Sequence, residues 1–149
     1  MAAVETTDDG KPHRVILRRV DGFRSRAVAG LAKKALTPDA KVVSDGLACF
    51  RAVVGAGCEH IAIVTGSGRK AARTPAFAWV NTLLGNVKAA LVGTYRAVRD
   101  KHVPRYLAEF EYRFNRRYDL AAMIPRLAIV AARTAPMPYR LIKLADVYA

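Results

Sequence analysis

The sequence predicts an α/β domain with a helical C-terminal part. Three observations predict it. Short β-branched runs recur in the first 66 residues, as "HRVILRRV" at 13–20, "KVVSDG" at 41–46 and "HIAIVTG" at 60–66. Segments with apolar residues at helical spacing separate these runs, and strands joined by crossover helices build a sheet with a parallel part. From Pro75 onward the pattern is helical.

Each element has its own justification. "AAVET" at 2–6 reads as a short strand, and Asp9-Gly10 between apolar flanks favours a tight hairpin into the return strand 13–20. Asp21-Gly22 ends that strand. Over 25–36, Ser25 is the expected N-cap, with Val28, Leu31, Ala32 and Ala35 at helical spacing before "TPDA" breaks the run. The strand 41–46 stops at Asp45-Gly46, and "LACFRAVVGAG" reads as a short helix closed by Gly55 and Gly57. After the strand 60–66 comes a basic loop, "SGRKAARTP" at 67–75. Helices are expected over about 76–92, 101–116 and 119–132, then a Pro-punctuated tail over 133–149. The organisation is one domain over 1–149, with a sheet portion at 1–66 and a helical portion at 76–132.

Composition narrows the function. A chain of 149 residues, 52% hydrophobic, has enough apolar side chains for a real core. Its 25 Lys+Arg against 12 Asp+Glu leave a net charge of +13, which favours a polyanionic partner. No apolar run approaches the roughly 20 residues that span a bilayer; the longest, "LAIVAA" at 127–132, lies between Arg126 and Arg133. No membrane partner is therefore expected, and the acidic start "MAAVETTDDGK" does not read as a signal peptide. Two cysteines in no metal-binding pattern imply a reducing cytoplasm, and the scattered His13, His60 and His102 argue against zinc. No Ser-His-Asp or Cys-His set stands out, and "GSGRK" at 66–70 lacks a P-loop pattern.

Three places carry possible chemistry. Asp45 ends a predicted buried strand, where ligands of α/β sheets collect and a carboxylate can hold Mg²⁺; a turn or cap role is the alternative. In the helix 76–92, Val80, Leu84, Val87 and Leu91 form a core stripe, while Asn81, Gly85, Lys88 and Val92 line the adjoining flank. Gly85 costs about 1 kcal/mol against Ala, and it lets another backbone approach. Lys88 is then a point charge for a phosphate, unless the flank is merely solvated. In the helix 101–116, Val103, Leu107, Phe110 and Phe114 face the core. Arg105, Tyr106, Arg113, Arg116 and Arg117 add a basic, aromatic character suited to nucleic acid, or to Glu109–Arg113 and Glu109–Arg105 pairs on a solvated face. Phe77 and Trp79 are expected in the core, and His60 in a structural role.

In order and spacing, "VVSDGLACF", "WVNTLLGNVKAALVGTY" and "KHVPRYLAEFEYRFNRRYDL" resemble the ISXO-like insertion-sequence transposases, over essentially the whole chain. The resemblance implies a ribonuclease H-like mixed sheet flanked by helices and DDE-type, metal-dependent DNA end cleavage and strand transfer. It implies that Asp45 is the second catalytic carboxylate, that Asn81 takes the third metal-ligand position, usually Glu, and that Lys88 handles DNA. Arg69, Lys70, Arg73, Arg96, Arg113, Arg116 and Arg117 are the further expected DNA contacts. Mg²⁺ or Mn²⁺ is implied where the site is complete. The implied partners are element ends and target DNA, with a homo-oligomer or full-length transposase beside them, in a bacterial cytoplasm near the nucleoid.

One departure is plain. The family's first catalytic Asp belongs on a central strand before the hairpin, and no residue here corresponds to it; Glu5, Asp8 and Asp9 lie on or after the next strand. The expectation is an N-terminally truncated transposase domain lacking that strand, so that the hairpin and the strand ending at Asp45 lose a shared neighbour. Its alternative function is that of an inactive DNA-binding or assembly remnant.

Overall fold

The computed structural model describes residues 1–66, 74–95 and 98–144. Strands β1 (Ala2–Thr6) and β2 (Pro12–Leu17) form an antiparallel hairpin. Helix α1 (Ser25–Ala35) leads to β3 (Lys41–Ser44), a 3-10 helix (Ala48–Ala56) and β4 (Glu59–Ala62). Then follow α2 (Ala78–Gly93), α3 (Val103–Asn115), α4 (Met123–Arg133) and α5 (Tyr139–Leu144).

The strands form two separate two-stranded sheets, β1–β2 and β3–β4; the sequence predicted a mixed sheet lacking the central strand that the hairpin and the strand ending at Asp45 would share. The parallel part is as expected: β3 and β4 run side by side, with Ser44 opposite Ala62. The chain divides into two compact units. One comprises Met1 and Val20–Thr82; the other comprises Ala2–Arg19 and Leu83–Ala149.

In the first unit, Val28 and Ala32 of α1 pack with Cys49, Val53 and Cys58. Small side chains at i and i+4 place α1 close to the 3-10 helix. Ser25 is the first residue of α1 rather than its cap, and Arg24 takes the cap position without a side-chain hydrogen bond. The segment after Asp45 is a 3-10 helix rather than an α-helix. Gly57, at φ 83°, closes it, because the left-handed geometry there favours glycine.

In the second unit, Val15 and Leu17 of β2 pack with Leu83 and Val87 of α2, and Leu107, Phe110 and Phe114 of α3 complete the cluster. Burying each large side chain contributes about 1.5–3 kcal/mol. The buried stripe of α2 thus runs through Leu83, not Leu84: Leu83 is 3% exposed and Leu84 37%. Both lie within a turn of Val80 and Val87, so spacing could not choose between them. Trp79, expected in the core, is 42% exposed. The return strand stops at Leu17, three residues short of expectation. The Pro-punctuated tail contains α5.

Side chains of α3 close the outer edge of β2. The Val15 N–H donates to Asn115 Oδ1 at 2.8 Å, and Asn115 Nδ2 donates to the Val15 carbonyl at 2.9 Å. The Leu17 N–H donates to Glu111 Oε2 at 2.9 Å. A carboxamide and a carboxylate thus occupy the places a neighbouring strand would take. On α4, by contrast, Ile124, Leu127 and Val130 are exposed.

Candidate functional site

Asp45 follows β3 directly, at the carboxyl end of the parallel pair. Ser44 before it is buried, and its hydroxyl lies 2.9 Å from His60 Nε2. The Ser44 carbonyl accepts the Ile63 N–H at 2.8 Å. These bonds fix the strand end. Gly46 then turns the chain at φ 87°, and a Cβ there would meet Val64 Cγ2 at 3.0 Å. Glycine is favoured for the backbone angle, and a larger residue would also have to displace the exposed Val64 side chain. Asp45 itself is exposed, and its Oδ1 accepts the Leu47 N–H at 3.3 Å. The turn role weighed from sequence is therefore present, and it uses one carboxylate oxygen through a long hydrogen bond.

Asn81, Gly85 and Lys88 are exposed along α2, as the flank pattern predicted. Seven residues of helix separate Asn81 from Lys88, about 10 Å of rise on one side of the cylinder. Nothing lies within 4 Å of where a Gly85 Cβ would stand, so the helix backbone is open to approach there. Asp45 and Asn81 belong to the same compact unit, and Lys88 belongs to the other.

The donor chemistry suits a hard cation in kind. Carboxylate and amide oxygens are ligands that Mg²⁺ accepts. In number it falls short: among the described residues, no three His, Cys, Asp or Glu side chains group as a metal cage.

The arginines on and just after α3 are employed in different ways. Arg113 forks onto Glu109, with Nε 2.6 Å from Oε1, which is the i,i+4 pair read from sequence. Arg105 instead reaches the Ile142 carbonyl at 3.4 Å. Arg117 donates to the carbonyls of Pro12 and His13 and stacks on the rings of Phe114 and Tyr118, so it clips α3 to the hairpin. Arg116 lies over the Tyr112 ring, 4.1 Å from its centroid. Arg69, Lys70, Arg73 and Arg96 lie outside the described residues. Nearby, burial and a hydrogen bond to Glu109 push the Tyr95 hydroxyl above its ordinary range.

Sequence reasoning missed the roles of Asn115, Glu111 and Arg18. Arg18 Nη1 lies 2.7 Å from Glu111 Oε2, across 93 residues of chain. No local pattern signals such a pair.

No helix among the described residues is long and apolar enough to cross a membrane. No curated protein and no solved structure matches the chain. The family model of the ISXO2-like transposase domain matches residues 1–115. That span takes in the hairpin, the strand end at Asp45, the Asn81–Lys88 flank and the whole of α3, and the chain belongs to the family of ISXO2-like transposase domains.

Proposed function

We propose that this transposase domain acts in insertion-sequence transposition by metal-dependent cleavage of DNA ends and strand transfer, on a ribonuclease H-like framework. The observation that carries the reading is Asp45, an exposed carboxylate on a fixed turn at the carboxyl end of a parallel strand pair. Asp45 and Asn81 would hold a divalent cation, Mg²⁺ or Mn²⁺. Bound there, it would neutralise charge on the phosphate and activate the attacking oxygen. Lys88 supplies a fixed positive charge to the DNA backbone, beside the open helix surface at Gly85. Asn81 offers a neutral oxygen, a weaker ligand than a carboxylate, and no residue here corresponds to the family's first catalytic Asp, so little or no activity is expected of this chain alone. The net charge of +13 supports DNA, both element ends and target, as the partner. The exposed apolar side chains of α4 support assembly with a second copy or a full-length transposase.

The test is strand transfer on end-containing DNA with Mg²⁺ or Mn²⁺ titrated. Asp45→Ala is expected to bring product to background while DNA binding persists. Asn81→Asp, which adds a second carboxylate, is expected to lower the metal concentration required. Product formation unaffected by Asp45→Ala would sink the assignment. Salt-sensitive DNA binding with no cleavage at any metal concentration would instead favour the inactive DNA-binding remnant.

A further inference from the structure

A cavity of about 590 Å³ lies within the second unit, between the end of β2 and one side of α3. Arg18, Arg19 and Arg116 line it, with Glu111 as the acidic group in its wall. Glu111 is already engaged, since its Oε2 accepts both the Leu17 N–H and Arg18 Nη1. Arg116 is differently placed. Its guanidinium is stacked on Tyr112, whose hydroxyl is anchored to the Met123 carbonyl at 2.9 Å. Its Nε is buried and has no hydrogen-bond partner among the described residues.

A buried donor without a partner is costly, and native structures rarely keep one without a reason. Nε itself is covered by protein, but the same side chain lines the cavity, and its guanidinium is a planar fork whose geometry matches an oxyanion, held by an anchored ring where positive charge is in excess. The volume is that of a small-ligand site. The remaining wall includes the apolar Leu17, Pro104 and Ala108. A phosphate flanked by sugar suits such a mixture better than a bare inorganic anion does.

We propose that this cavity seats a backbone phosphate of a DNA strand, with Arg116 as its principal donor, Arg19 beside it and the apolar wall against the adjoining sugar. The proposal rests on the DNA-handling reading above but requires no cleavage. A chain that binds DNA and never cuts it would still satisfy it.

The experiment measures affinity of the full chain for a short labelled duplex across a salt series. Arg116→Gln is compared with Arg133→Gln, a variant of equal charge changed at an exposed position on α4. Arg116→Gln is expected to weaken binding about tenfold or more. It should also flatten the salt dependence by about 0.9, the share of a single phosphate contact. Arg133→Gln should do distinctly less. Arg116→Lys keeps the charge but loses the fork, and is expected to recover only part of the affinity. Circular dichroism checks folding; should Arg116→Gln not fold, Arg116→Lys and Arg19→Gln carry the comparison. Equal losses for Arg116→Gln and Arg133→Gln, or an unchanged salt slope, would overturn the proposal. Inorganic phosphate is added as a competitor. Weak competition supports a DNA phosphate as occupant, whereas phosphate binding as tight as the duplex, and dependent on Arg116, would make the free anion the ligand and overturn the DNA assignment.

Discussion

The two sheets of this protein are stabilised in opposite ways. The β3–β4 pair sits among neighbours close in sequence: α1, the 3-10 helix and the Ser44–His60 contact all fall between residues 25 and 60. The β1–β2 hairpin depends on partners about a hundred residues away, Asn115, Glu111 and Arg117 of the α3 region. The first arrangement presents an exposed carboxylate on a glycine turn. The second ties a strand to a helix and leaves an arginine without a partner for its Nε. The lesson is that the local region is built from contacts that short-range patterns announce, while the non-local region holds polar bonding that no local pattern announces.

The sharpest way to break the comparison is in the hairpin's core. Leu83→Ala should cost about 2–5 kcal/mol, the range for a buried leucine, whereas Leu84→Ala, at a position 37% exposed, should cost under about 1 kcal/mol. Urea unfolding of the two variants measures this. Equal losses would mean that α2 faces the hairpin differently. Next comes the polar closure of β2. Asn115→Ala strands both backbone groups of Val15, where the side chain is 1% exposed. It should destabilise by about 1–3 kcal/mol. Amide exchange at Val15 should accelerate, and an unchanged rate would show that the carboxamide is dispensable. The smallest effect belongs to the local region. Gly46→Ala combines a left-handed backbone with a Cβ contact at 3.0 Å, and should cost about 1–2 kcal/mol. Under the proposed mechanism it should also depress strand transfer by shifting Asp45. Thermal unfolding beside the activity assay separates the two.

Much of the first region was legible because short-range physics dictates it. Val28 and Ala32 lie one helical turn apart, and Gly46 turns the chain just after β3. The same physics gave the Glu109–Arg113 pair and the exposed flank of Asn81, Gly85 and Lys88. Illegibility began where two solutions satisfied one spacing, as with Leu83 and Leu84. It also began where a side chain substitutes for a strand, as Asn115 does. Arg117 shows the limit well. In sequence it is one more positive charge in a basic run, yet its donors are turned onto backbone carbonyls of the hairpin. Charge counting cannot distinguish a cation available to a ligand from one used as a fastener.

The carboxamide of Asn115 has a consequence beyond holding α3 in place. By saturating the Val15 groups on the rim of β2, it leaves a stray extended segment no foothold there. The hairpin is thereby guarded on that side against sheet-to-sheet polymerisation.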